Sequence, residues 1–125
     1  MVTLRDVFVT TGNIVLEGGE IALLGDLSGS GGANSVIFAP NAVGGTLEVY
    51  NTATSPSSAN MTIDKTDLSH VTGTIEKMVF GSNTAGAVTF FPDADPVPAT
   101  GSLNLTRNVE FRGTTVTLNE SIDQN

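Results

Sequence analysis

Apolar residues along this chain recur in alternating pairs separated by short polar turns. Val2/Leu4, Val7/Val9, Ile14/Leu16 and Ile21/Leu23 open the sequence, and Leu103/Leu105, Val109/Phe111 and Val116/Leu118 close it. Alternation turns one face of each segment toward a core and the other toward solvent, the period of a half-buried β-strand. Gly12-Asn13, Gly18-Gly19 and Gly25-Asp26 supply the punctuation between them. Sandwich strands run to about five or six residues, and these segments are shorter, so they suit a chain coiling around one narrow core. Three strands per turn at this spacing predicts a β-solenoid with about 20 residues per coil and about four to six coils.

The middle of the chain is less regular. Ser28 to Asn34 reads Ser-Gly-Ser-Gly-Gly-Ala-Asn, a composition expected of a loop protruding at a corner, before a strand at Val36-Ile37-Phe38. Thr46 to Tyr50 is a further strand. Asn51 to Asn60 has no apolar period and forms an excursion, after which strand character resumes at Met61-Thr62-Ile63. One segment departs from the β pattern. Between residues 66 and 72 the spacing predicts a single helical turn, with Thr66 as its cap, Asp67 in its first turn, Leu68 and Val71 facing inward and Gly73 at its end. Strands follow at Ile75 to Phe80 and Ala87 to Phe91, joined by a turn at Gly81 to Gly86. Pro92, Pro96 and Pro98 then force a second excursion, from Pro92 to Thr100, because they lack the N–H that a ladder needs.

Charge narrows the function classes. The 125 residues make one domain, and the net charge of −8 leaves no basic stripe for nucleic acid or an anionic membrane surface. No apolar run approaches the roughly 20 residues of a spanning helix, so membrane insertion is not expected. Met1-Val2-Thr3-Leu4-Arg5 is not an export signal, and the chain reads as a segment of a longer repetitive protein. With no cysteine or tryptophan, neither a disulfide framework nor a thiolate metal site is expected. A Thr-, Asn-, Gly- and Ser-rich, acidic, thiol-free composition leans toward exported bacterial repeat proteins.

The run from Met61 to Val88 carries a family resemblance. A short strand (Met61 to Ile63) leads into an acidic, Leu-containing turn (Asp67-Leu68), then a Gly-Thr-hydrophobic strand (Gly73-Thr74-Ile75), then a Gly-x-x-x-x-Gly turn (Gly81 to Gly86) into another strand. This order resembles a repeat unit of filamentous-haemagglutinin-like bacterial exoproteins, the adhesins exported by two-partner secretion. The resemblance implies a right-handed parallel β-helix within a long secreted or surface-anchored adhesin. It covers about a quarter of the chain, and the excursions Asn51 to Asn60 and Pro92 to Thr100 are longer than a plain shaft repeat carries.

Candidate chemistry is sparse. Asp93 and Asp95 offer weak Ca²⁺ ligands in a Pro-bounded loop, but the twelve-residue loop pattern with its closing Glu is missing and solvated acids account for them. Asp64 and Asp67 are explained by capping. His70 is the lone histidine, expected to face solvent on the helical turn, with only Ser69 beside it. Phe38, Tyr50, Phe80, Phe90, Phe91 and Phe111 offer the rings of a sugar-stacking platform, but alternating Phe in strands reads as core filling, with only Tyr50 or one of the Phe90/Phe91 pair facing outward. Asn60, Asn104 and Asn119 head Asn-x-Ser/Thr sequons and are candidate glycosylation positions.

No catalytic residue, resident metal or cofactor is expected. The expectation is a non-catalytic structural and adhesive segment at the bacterial surface or outside the cell, a stalk presenting loops to a host or neighbouring surface or to glycans. The contact positions would be Asn34, Asn51, Ser57, Asp93 and Asp95. The alternatives are a self-assembling extracellular filament subunit that stacks through its terminal coils and, third, a polysaccharide-processing β-helix enzyme.

Overall fold

The computed structural model describes residues 2–29, 34–50, 59–72, 75–90, 103–104, 107–119 and 122–123. It is mostly β. The strands are β1 (Val2–Leu4), β2 (Val7–Val9), β3 (Ile14–Gly18), β4 (Ile21–Leu23), β5 (Leu27–Gly29), β6 (Ser35–Pro40), β7 (Leu47–Val49), β8 (Met61–Ile63), β9 (Lys77–Gly81), β10 (Ala87–Phe90), β11 (Leu103–Asn104), β12 (Asn108–Arg112), β13 (Thr115–Leu118) and β14 (Ile122–Asp123). One helical turn, α1 (Lys65–Ser69), follows β8.

Every strand pairing among the described residues is parallel. The pairings fall into recurring series. In one, β1 pairs with β4, a bridge from Glu20 to Thr62 links that pair to β8, and β8-β7-β10-β13 continue the sheet. In a second, β2 pairs with β5, and Leu27 bridges to Val71 just after α1. In a third, β3, β6, β9 and β12 stack in chain order; β11 and β14 form a further pair. The first series breaks chain order, since β8 lies between β4 and β7 although it comes after β7 in the sequence.

In-register pairing turns alternation into columns. On the third series Leu16, Phe38, Phe80 and Phe111 align, as do Ile14, Val36, Met78 and Val109. On the first, Met61, Leu47, Val88 and Val116 align beside Ile63, Val49, Phe90 and Leu118. All of these from Val36 to Phe90 are fully buried in one cluster. The Phe80 ring stacks between Phe38 (centroids 5.5 Å apart) and Phe111 (5.8 Å), and Phe90 meets both Phe80 and Phe111 edge-on at 5.2 Å. Offset and edge-on contacts align ring quadrupoles favourably and add to the hydrophobic burial.

Three expectations need correction. Ser28 and Gly29 belong to β5, not to a protruding loop, and Asn34 is buried, 3% exposed, so it is no contact residue. Gly29 is the reason: with no side chain it admits the Asn34 carboxamide, whose amino group donates to the Gly12 carbonyl at 2.8 Å. The helical turn is capped by Asp64, not Thr66, because the Asp64 carboxylate reaches the N–H groups of both Thr66 and Asp67. The strand placed at Ile75 to Phe80 begins at Lys77, since the Ile75 N–H donates back to Thr72 in a turn. Tyr50 and Phe90 are both buried, with the Tyr50 hydroxyl on the Glu48 carboxylate at 2.8 Å, and Phe91, the remaining ring of the outward-facing expectation, lies outside the described residues. Among the described residues, Phe8 on β2 is an exposed aromatic ring, 63% exposed.

Candidate functional site

Two polar constellations stand out, one at the helical turn and one on the outer side of the third series. Asp64 and Asp67 form a capping box at α1: the Asp64 Oδ1 accepts from Thr66 and Asp67, and the Asp67 Oδ2 accepts from the Asp64 N–H at 3.1 Å. Asp67 does more than cap. Its Oδ1 accepts the Leu23 N–H of β4 at 2.8 Å, so one buried carboxylate ties the turn to the first series. Burial raises its pKa above the ordinary carboxylate value, against the opposing pull of those two N–H donors. With its protonated form favoured by folding, Asp67 adds stability as pH falls through its raised pKa and opposes folding at neutral pH. Its hydrogen bonds act the other way: Asp67→Ala strands the buried Leu23 N–H and is expected to lower unfolding free energy at pH 7 by about 1–3 kcal/mol in urea titrations.

His70 ends α1, with its Nδ1 3.2 Å from the Asp26 carboxylate, whose own N–H donates to Asp6 at 2.9 Å. The neighbouring Ser69 hydroxyl donates to the Thr66 carbonyl at 2.6 Å rather than to the imidazole. A Ser-His-Asp relay requires that missing contact. Asp64, Asp67 and His70 therefore come together as a cap and a corner latch.

On the third series, Glu110 sits between two cations. Lys77 Nζ lies 2.7 Å from one of its oxygens and Arg112 Nε bonds the other. The geometry follows from pairing: Lys77 and Glu110 lie on adjacent strands β9 and β12, and Glu110 and Arg112 share a face two residues apart. Arg112 first and Lys77 second hold the Glu110 carboxyl down at about 2. Its contribution to stability is thus present above its ordinary value of 4.5 and is lost as pH falls toward about 2. The stability difference between the parent and Glu110→Gln is expected to vanish across that window and to shrink in high salt, measured by urea titration at stepped pH.

Beside this trio opens a shallow groove of about 370 Å³ lined by Ser82, Asn83, Phe111, Arg112, Gly113 and Thr114. It lies where the corner after β9 meets the corner after β12, and Gly81 and Gly113 let the two backbones approach closely. The sequence reading missed it; the only local signal was Glu110 and Arg112 alternating with apolar neighbours. Hydroxyl, carboxamide and guanidinium groups together can contact a polar, neutral or acidic ligand.

Comparison with known protein families, curated proteins and solved structures finds no match to this chain.

Of the other expected positions, Asn60 is exposed and locked to Thr46: its Oδ1 accepts the Thr46 N–H at 3.0 Å and its own N–H donates to the Thr46 hydroxyl at 3.2 Å. Asn119 is exposed just past β13, its N–H donating to the Phe90 carbonyl. Asn104 lies in β11. Asn51, Ser57, Asp93 and Asp95 lie outside the described residues. Among the described residues, no three His, Asp or Glu side chains gather into a metal-holding group, and no helix is long and apolar enough to cross a membrane.

Proposed function

We propose that the three series are the faces of one right-handed β-solenoid, and that the chain is a non-catalytic, structural and adhesive segment of a surface protein resembling filamentous-haemagglutinin-like exoproteins. The observation that supports this reading is the column: successive strands on each series repeat the same inward apolar positions in register, which makes a unit that extends by adding turns. At about 4.8 Å per strand, even the longest series is short, so the segment works as one length of a stalk. Attachment then falls to the groove at Ser82, Asn83, Arg112 and Thr114 and to the polar stretches Asn51 to Asn60 and Pro92 to Thr100 that the sequence marks as contact regions. Glycans at the surface of a host or neighbouring cell suit such a groove, since hydroxyl and carboxamide groups match their donors and acceptors.

The test is binding of the purified chain to immobilised acidic and neutral polysaccharides, followed by product analysis of the same polysaccharides. Saturable binding without cleavage is expected, weakened about tenfold in a variant carrying Asn83→Ala and Arg112→Gln, the loss of about 1.4 kcal/mol of contact. Binding indifferent to both substitutions and to deletion of 51–58 would overturn the adhesive reading. Release of shortened sugars would replace it with the enzymatic one.

A further inference from the structure

Lysine and arginine are scarce in this chain and unevenly placed. Of its five, Lys77, Arg107 and Arg112 lie on or beside β9 and β12, against Glu76 and Glu110 in the same stretches, so this patch is net positive in a chain of net charge −8. Within it Glu110 faces two cations, Lys77 and Arg112, and one positive charge stays unmatched. Arg112 is where that charge is open to a ligand. Glu110 takes its Nε, and its two terminal amino groups have no partner among the described residues. The register sets Gly81 beside Arg112, so no side chain of β9 stands next to the guanidinium. The Arg112 side chain is 36% exposed and points off the sheet face, as Glu110 does, so turns added beyond β12 leave it in place.

Taking the groove beside Arg112 as a glycan site, as the adhesive reading does, we infer that it binds the carboxylate of a uronic acid residue in a sparsely charged polysaccharide. A guanidinium held at Nε presents its end-on pair of amino groups, which match the two oxygens of a planar carboxylate. Glu110 is the positioning residue that fixes this plane, and Lys77 offsets its charge. Because Arg112 and Lys77 hold the Glu110 carboxyl at about 2, the brace is ionised wherever a sugar carboxylate is. Asn83 and Thr114, exposed on the walls of the groove, offer a carboxamide and a hydroxyl to the hydroxyls of the neighbouring sugars. One unmatched positive charge suits one carboxylate at a time. A densely sulfated polymer brings many charges against a chain of net charge −8 and is repelled.

Titration calorimetry of the purified chain tests it with partly methyl-esterified polygalacturonate, the same polymer fully esterified, and heparin as the densely sulfated probe. Saturable binding of the first is expected, about tenfold weaker for the fully esterified form and weaker still for heparin. Arg112→Lys keeps the charge and removes the fork, and is expected to weaken binding about tenfold with little change in the urea midpoint. Glu110→Gln leaves two cations unmatched and is expected to raise heparin binding and erase the preference for the uronate polymer, which a purely structural role for Glu110 would not do. An unchanged preference would remove Glu110 from the site. Equal binding of the free and esterified polymers, or full binding by Arg112→Lys, would overturn the carboxylate and leave the adhesive reading standing. Heparin bound more tightly than the uronate polymer by the parent would replace the single-carboxylate site with a general polyanion surface. Binding confined to neutral polysaccharides would overturn the inference alone, and binding to none would remove the adhesive reading with it.

Discussion

Replacing Phe80 with alanine is expected to lower the unfolding free energy by about 3–5 kcal/mol, the range for a fully buried ring whose cavity cannot collapse. Phe80 is 0% exposed and touches three other rings, so truncation removes two stacked contacts and one edge-on contact as well as the transfer energy of the ring. Its neighbours Phe38 and Phe111 are held on the hydrogen-bonded strands on either side and are poorly placed to fill the space. Native domains are stable by about 5–15 kcal/mol, so this single change consumes a large part of the margin. Phe111 supplies the internal comparison: it occupies the same column but is only partly buried, at the uncovered end. Phe111→Ala should therefore lose clearly less. Urea titrations of the two variants decide the point, and equal losses would mean that the column is not packed as described.

The second large effect is expected at Gly81. Its φ of +96° is strained for any residue with a side chain, and a Cβ there would overlap the Arg112 carbonyl oxygen of the adjacent strand and press on Val88 Cγ2 at 3.0 Å. Backbone cannot step aside as a flexible side chain can. Gly12 isolates the conformational part of the penalty, because it has a similar φ of +81° with nothing within 4 Å of the added atom. Gly12→Ala is expected to lose about 1–2 kcal/mol from the left-handed conformation alone, and Gly81→Ala well above that, with poor yield of folded protein. Thermal unfolding of the pair measures the difference, and similar melting temperatures would show that the corner relaxes freely.

These two positions also show how far the sequence could be read. The alternation at Val2/Leu4, Val7/Val9 and Ile21/Leu23 located strands because a period of two is a local property, visible without knowing any partner. The inward placement of Phe38, Phe80 and Phe111 followed from the same rule. What escaped notice depends on partners distant in sequence. Ser28 and Gly29 read as the start of a protruding loop, since Ser and Gly carry no apolar signal; the strand Leu27–Gly29 exists through its pairing with Val7–Val9 and the bridge to Val71. Asp67 was legible as a first-turn acid, but its bond to Leu23, 44 residues away, was not. The groove beside Arg112 arises from two corners meeting, and neither corner alone announces it.

The displaced position of β8 has a further consequence, for the order in which the molecule can assemble. A chain that lays each strand on the one before can consolidate from its N-terminus as it emerges. Here β7 is made first but rests on β8, so between residues 49 and 61 the growing sheet has a vacant rung directly beneath its newest strand. Growth of this sheet is therefore expected to wait until Met61–Ile63 pairs with Leu47–Val49 and the Asp67 carboxylate reaches Leu23. Long-range closure of this kind is slow. The half-filled ladder should be the species that accumulates early in refolding and the one most exposed to misassociation.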